Sequence, residues 1–185
     1  MAKRKRTVRD ALSSIDLVTH GPVRPVSSKH LVSTKSPEMS ELEFGLIMAG
    51  NAFNRWVVRC MASAGLPDLT TIDVLVLHHA HHLDRPKKKA DICFILNIED
   101  THTVTYSLKK LVSLGVIVGN KVGKEVFYTT TERGRQYVER YREVRERCLM
   151  ASLADGLNDD IGHAAQLLRT LSGLYDQAAR AAVSL

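Results

Sequence analysis

The sequence predicts a mainly α-helical protein with one small β-hairpin. Apolar residues at helical spacing run through most of the chain, whereas only two short runs, 116–118 and 126–128, are β-branched or aromatic. The chain has 185 residues, of which 44% are hydrophobic and 25% charged. These proportions are typical of a globular protein with one core of ordinary size.

Residues 1–37 are interpreted as a basic, flexible tail. Three prolines, Gly21 and many serines and lysines interrupt any period, although 8–18 is compatible with one short helix. The tail carries eight basic and two acidic residues and accounts for the net charge of +6. No apolar run follows its basic start and no segment is apolar enough to cross a bilayer, so a cytoplasmic protein without membrane contact is expected.

A long helix is predicted over 38–64, because Pro37 is tolerated in a first helical turn and Gly65 and Pro67 end the pattern. Its apolar stripe has 4-3-4-3-4 spacing and consists of Leu42, Leu46, Ala49, Phe53, Trp56 and Cys60.

Three shorter helices are expected next. Thr70, with Asp73 three residues later, caps the second helix, whose inward residues are predicted to be Ile72, Leu75, Val76 and His79. The third covers about 88–96, with Ile92, Ile95 and Leu96 as its apolar contacts. After a turn at 97–100, the fourth runs from 101 to 113 and buries Val104, Leu108 and Leu111, and Gly115 supplies the left-handed residue that ends it.

The two β-branched runs are predicted to form a hairpin with a basic, glycine-flanked tip at 119–124. Two helices close the chain, over about 132–153 and 159–183. The apolar stripe of the first is Tyr137, Tyr141, Val144 and Cys148. That of the second is Ile161, Ala164, Leu168, Leu171, Tyr175, Ala178 and Ala182.

Helix, turn, helix and basic hairpin in this order predict a winged helix-turn-helix over 70–131, in which the second helix of the pair enters the major groove of DNA. Residues 85–124 carry eight basic and three acidic side chains, a distribution typical of a nucleic-acid footprint. Polar residues opposite the buried stripe, together with the lysines of the hairpin, are the predicted contacts with double-stranded DNA. They are Thr101, His102, Thr103, Thr105, Tyr106, Lys109, Lys110, Lys121 and Lys124.

The segment 92–111, the run 115–117 and the Thr131-Glu132-Arg133-Gly134 motif resemble MarR-family transcription regulators over about 38–180. The resemblance implies a single MarR-like domain at 38–185, in which 38–64 and 132–183 form dimerisation helices. It further implies a homodimeric repressor that binds a palindromic operator and is tuned by a small aromatic effector. By the same analogy the effector is expected near Trp56, His79 and Tyr137.

The sequence departs from the family pattern in two features. The usual Asp-x-Arg motif of the wing is absent and Gly123-Lys124-Glu125 takes its place, so Lys124 or Lys121 is expected to perform the wing's role. Thr130 replaces a leucine that usually precedes the Thr-x-x-Gly motif.

Two other functions stay open at this point. The missing Asp-x-Arg motif is compatible with a winged-helix module that binds protein, and His78, His79, His81 and His82 suggest a metal-dependent protein in which His78 and His82 share an ion. One helix face holds only part of this cluster, so neither metal nor other cofactor is expected. Catalytic signatures are absent from the sequence, which predicts that the chain is not an enzyme. Cys60, Cys93 and Cys148 are expected on helix faces rather than in disulfides.

Overall fold

The computed structural model of the protein describes residues 33–185. The chain divides into two compact units, one that ends at Phe53 and one that spans Asn54–Leu185. The predicted tail lies mostly outside the described residues, as does its possible helix at 8–18. Residues 33–37 are in neither helix nor strand.

The described part of the chain is mainly α-helical with one small antiparallel sheet, as the sequence predicted. Single turns of 3-10 helix lie at His82–Asp84 and Met150–Ser152. No helix in 33–185 has the length and apolar character needed to cross a bilayer. The elements are α1 (Glu38–Ser63), α2 (Thr71–His81), β1 (Lys87–Lys88), α3 (Lys89–Ile95), α4 (Thr101–Ser113), β2 (Ile117–Val122), β3 (Glu125–Thr130), α5 (Glu132–Cys148) and α6 (Asn158–Ala182).

The sheet has the strand order β1-β3-β2, and all neighbours are antiparallel. The predicted loop at 119–124 is wrong, because Lys121 pairs with Val126 and Val122 pairs with Glu125. Only Gly123 and Lys124 remain as the turn, and the positive φ of Gly123 suits the first central position of a tight hairpin. Strand β1 was not predicted, since a pair of lysines gives no strand signal.

The core of the second unit lies among α2, α4, the base of the hairpin and the end of α1, and α3 and α5 add further buried side chains. Val104, Leu108 and Leu111 of α4 are buried as predicted, and Gly115 has the expected left-handed conformation. The inward face predicted for α2 is partly wrong. Val74, Leu77 and Ala80 are buried beside Val76, whereas Ile72, Leu75 and His79 are only half-buried.

The predicted contacts of α3 need a similar correction. Ile92 is buried and Leu96 packs against the core, but Ile95 is 61% exposed and Phe94 is 83% exposed. Helix α3 is only seven residues long, so it packs through one narrow face that contains Ile92 and Cys93. Cys148 at the end of α5 is also exposed, in contrast to Tyr141 and Val144 of the same predicted stripe.

The Thr131-x-x-Gly134 motif joins the hairpin to α5. Thr131 donates its N–H to the Val116 carbonyl at 3.1 Å and its hydroxyl to the Gly115 carbonyl at 2.8 Å. The same hydroxyl accepts the N–H of Gly134 at 3.1 Å, which caps α5. A Cβ at Gly134 would lie 2.0 Å from the Val116 oxygen, so only glycine fits there.

Helix α6 leaves most of its apolar stripe uncovered. Leu171 is its one buried residue, whereas Ile161, Leu167, Leu168 and Leu174 are 44–53% exposed. In the first unit, Phe44, Ile47, Met48 and Phe53 of α1 are also exposed. Such runs of uncovered apolar side chains are characteristic of interaction surfaces.

Candidate nucleic-acid interface

Helix α4 has one buried and one exposed face. Val104, Ser107, Leu108 and Leu111 are buried, and on the opposite side His102, Tyr106 and Lys109 are exposed. Tyr106 is the largest of these exposed side chains, and it is 70% exposed although it lies in the middle of the helix. Of the other predicted contacts on this helix, Thr101 is exposed, whereas Thr103 and Thr105 are half-buried.

Asp100 caps the N-terminus of α4. Its carboxylate accepts the N–H of His102 at 2.9 Å and the hydroxyl of Thr103 at 3.0 Å. The hydrogen bond from the His102 N–H, followed by that from Thr103, lowers the pKa of Asp100. The hydroxyl of Thr105 donates to the Thr101 carbonyl at 2.8 Å. The hydroxyl protons of both Thr103 and Thr105 are therefore used within the helix.

A buried carboxylate fixes the position of α4 against α2. Asp73 is 4% exposed and accepts hydrogen bonds from the Ser107 hydroxyl and, at 2.8 Å, from Lys110. Burial alone would raise the pKa of Asp73, but the hydrogen bonds from Lys110, Ser107 and Thr70 outweigh it and leave the pKa lowered. Lys110 also donates to the Asp68 carbonyl at 2.6 Å. The ammonium group of Lys110 is thus hydrogen-bonded to other residues of the protein, unlike that of Lys109, the neighbouring lysine predicted to contact DNA.

Sequence reasoning predicted the capping pair Thr70 and Asp73 but not this network. The available signal was Ser107, a polar residue placed between Val104 and Leu108 on the buried side of the helix. Because a buried hydroxyl requires a partner, Ser107 pointed to a polar group on a neighbouring element.

The wing is the β2–β3 hairpin, and it places the two predicted lysines differently. Lys124 lies in the turn, whereas Lys121 lies within β2 opposite Val126. The two lysines are exposed. Lys88 of β1 binds Glu125 at 2.6 Å and lies 5.3 Å from the centre of the Phe127 ring. These contacts attach the short strand β1 to the wing.

The three residues predicted to bind an effector have different surroundings. Trp56 packs against the core from the last part of α1. The ring of Tyr137 lies beside Arg133 and Arg140, at 5.8 and 4.5 Å from their guanidinium carbons. Burial, followed by nearby Lys87 and His82, lowers the pKa of His79. A groove of about 530 Å³ is lined by a different set of residues, all on α5, namely Glu139, Arg142, Glu143, Glu146 and Arg147.

The histidines of α2 and the turn after it point to different partners. The ring of His78 packs edge-on against Tyr141 at 4.5 Å, and that of His79 stacks with His82 at 6.3 Å. His81 is hydrogen-bonded at 3.2 Å to the hydroxyl of Thr130, which provides a partner for this buried threonine. Within 33–185, no three His, Cys, Asp or Glu side chains are arranged to hold a metal ion.

His78 is the one described residue with a fully buried side-chain N or O atom, Nε2, that has no hydrogen-bond partner. Burial, with a smaller contribution from His81, lowers the pKa of His78 to about 4. His78 is therefore neutral in the folded protein at neutral pH.

The arrangement of α2 to β3 is that of a winged helix, and comparison with known proteins gives the same fold. Residues 69–134 match the family described as winged helix DNA-binding domain. This segment includes α2, β1, the α3–α4 pair, the wing and the Thr-x-x-Gly junction. No curated protein matches the sequence.

Solved structures extend the similarity to most of the chain. A MarR transcriptional regulator from Methanosarcina mazei Go1 is 14% identical, with a TM-score of 0.60 over 73% of this chain and 97% of its own. A mutant MarR from E. coli complexed with operator DNA is 19% identical, with a TM-score of 0.60 over 72% and 95%. The transcriptional repressor CouR, bound to a 23-mer DNA duplex, is 22% identical, with a TM-score of 0.54 over 75% and 95%. The chain therefore has the fold of MarR regulators, and its residues 69–134 are similar to winged helix DNA-binding domains.

Proposed function

We propose that this protein is a MarR-type transcription regulator that binds double-stranded DNA through α4 and the wing. One observation carries the proposal. Within a winged helix DNA-binding domain, α4 is held to the core by an apolar stripe and the Asp73 network, and it exposes a row of polar and aromatic side chains on its other face. The DNA bound in the solved complexes of MarR and CouR supports the same partner here.

The contacts divide into two groups. Thr101, His102, Thr103, Thr105, Tyr106 and Lys109 are proposed to lie in or beside the major groove, where Tyr106 meets base edges or phosphates and the threonines meet base edges. Lys121 and Lys124 are proposed to neutralise phosphates from the wing. The Lys110 ammonium is already bound to Asp73 and Asp68, and we assign it to positioning α4 rather than to DNA.

A homodimer is proposed because the apolar stripe of α6 is far too exposed for an isolated chain. A second copy packed on this stripe would give the DNA-binding unit two-fold symmetry and require a palindromic operator. Light scattering at micromolar concentration is expected to give twice the chain mass of 20.6 kDa. A stable, folded species of 20.6 kDa would contradict the dimer without contradicting DNA binding.

Repression, and release by a small aromatic effector near Trp56, His79 and Tyr137, complete the proposal. They are supported by likeness to repressors of the same fold, of which CouR is one. A transcription assay on the selected operator, with and without added aromatic acids, tests both. Activation by the bound protein, or repression insensitive to every such compound, would contradict this part alone.

The central experiment is selection of bound duplexes from a random pool. Enrichment of an inverted repeat is expected, with half-sites about one helical turn apart. The Lys121→Ala/Lys124→Ala double variant should weaken specific and scrambled duplexes alike and reduce the salt dependence by about one unit per lost phosphate contact. Absence of any DNA retention by the folded chain would contradict the function and favour a module that binds protein.

A further inference from the structure

The exposed face of α4 carries three side chains whose functional groups remain available for DNA. His102, Tyr106 and Lys109 are spaced by four and three residues, so they form one row along the helix, which we call the reading row. All three are exposed, and no side-chain hydrogen bond within 33–185 engages them. The neighbouring hydroxyl groups of Thr103 and Thr105 have instead donated their protons to Asp100 and to the Thr101 carbonyl.

The chemistry of α4 is restricted in a way that bears on base recognition. Helix α4, with the sequence THTVTYSLKKLVS, contains no Asp, Glu, Asn or Gln. Asparagine and glutamine are the residues that read both groups of the adenine edge, and carboxylates are the residues that accept from the cytosine amino group. The acids and amides next to the helix are partly engaged. Asp100 accepts from His102 and Thr103, and Asn97 donates to Ser172 and Asp176 of α6.

Two of the three side chains in the reading row, Lys109 and Tyr106, match the other two bases. Lys109 has three donors and no acceptor, so it fits the O6 and N7 acceptors of guanine. The exposed ring of Tyr106 offers apolar surface to the thymine methyl group, and its hydroxyl offers a donor to an acceptor on the base edge.

We infer that each half-site of the operator presents a guanine to Lys109 and a thymine to Tyr106, and that these two residues set its sequence specificity. The inference rests on the proposed function and specifies the class of DNA that this helix reads.

Base analogues in the selected operator test the inference. Replacement of each half-site guanine by 7-deazaguanine removes the N7 acceptor, and replacement of each thymine by uracil removes the methyl group. With the parent protein, at least one substitution of each kind should weaken binding by roughly 5- to 150-fold. The protein variants then assign the contact. Tyr106→Ala should bind the uracil and thymine duplexes equally, whereas Tyr106→Phe should still distinguish them.

The matching pair for the other contact is Lys109→Ala and Lys109→Arg. The alanine variant should lose its sensitivity to 7-deazaguanine, and the arginine variant should retain it because arginine also donates to guanine. Both positions are exposed, so circular dichroism is expected to show all four variants folded like the parent.

The possible failures are distinguishable. Binding to no DNA at all would overturn the proposed function. Binding to a selected operator that tolerates every uracil and 7-deazaguanine substitution would overturn this inference and leave the function standing. A selected half-site read through cytosine or adenine would also overturn it and would direct attention to Glu99, the exposed acid that precedes the cap.

Discussion

The ammonium group of Lys110 lies 2.8 Å from the carboxylate of Asp73, and this contact ties α4 to the first turn of α2. The same carboxylate accepts from Ser107 of α4 and from the backbone of Thr70, while Lys110 reaches the Asp68 carbonyl. One buried acid thus sets both the start of α2 and the orientation of the helix proposed to read DNA. Lys110, which the sequence pattern presents as a DNA contact, acts in the structure as the counterion of Asp73.

Replacement of Asp73 by asparagine should lower the free energy of unfolding by about 1–3 kcal/mol, because it removes a charged, multiply bonded acceptor from a buried site. Urea titration measures the change. Glu132→Gln is the matched control, since Glu132 pairs with Arg135 in solvent and should contribute less than about 0.5 kcal/mol. Equal effects of the two substitutions would contradict the role given to Asp73.

The Asp73 network should also make the fold sensitive to acid. The pKa of Asp73 is lower in the folded chain than in the unfolded one, so its contribution is complete above about pH 4 and decreases as the pH falls further. In urea titrations between pH 3 and 6, the free energy of unfolding of the Asp73→Asn variant should depend less on pH than that of the parent protein.

His78 should destabilise the protein over a different pH range. Its pKa is about 4 in the folded protein against 6.5 in its unperturbed form, so protonation favours the unfolded chain. The free energy of unfolding should be unaffected by His78 above about pH 6.5 and should fall by about 3 kcal/mol as the pH decreases to 4. His78→Phe keeps a ring against Tyr141 and should remove this loss. His163→Gln, which changes an exposed histidine of α6, is the control and should follow the parent. A His78→Phe variant that follows the parent curve would show that the loss has another source.

Gly134→Ala should destabilise the fold by about 3 kcal/mol or more, because the added Cβ would lie 2.0 Å from the backbone oxygen of Val116. Thermal and urea unfolding measure the loss. Gly162→Ala in α6 is the control, since nothing lies within 4 Å of its added Cβ. That substitution should stabilise the helix by about 0.5–1 kcal/mol. A well-tolerated alanine at 134 would mean that the hairpin and α5 are less closely joined than described.

Leu108→Ala should cost about 2–5 kcal/mol, since Leu108 is 2% exposed in the core beneath α4. Ile95→Ala is the comparison, because the sequence pattern places both residues in the core while the structure leaves Ile95 61% exposed. Its loss should change the free energy of unfolding by less than about 0.5 kcal/mol. If the two substitutions cost the same, Ile95 would be buried in the functional assembly, and a comparison at dimer-dissociating concentrations would reveal it.

The sequence alone was sufficient for the order of the helices, the hairpin and the face of α4 that carries Val104, Leu108 and Leu111. Local rules govern these features. A 3.6-residue period defines a helix face, and Thr70 and Asp73 form a cap within one turn. Gly115 adopts the left-handed conformation that ends α4, and glycine does so without steric cost. The Thr131-x-x-Gly134 motif was recognised as a pattern, but its reason, the approach of Val116, is a tertiary contact.

Tertiary structure decided the features that depend on partners distant in the chain. Lys109 and Lys110 are neighbours with the same charge, yet only Lys110 reaches a carboxylate 37 residues earlier in the sequence. Ile92 and Ile95 are one helical turn apart, but the seven-residue α3 has room to bury only one of them. Strand β1 forms because β3 offers it an unpaired edge, and two lysines have no intrinsic preference for that conformation. In each case the local pattern permits several outcomes, and the free energy gained by pairing or burial against a remote element selects one of them.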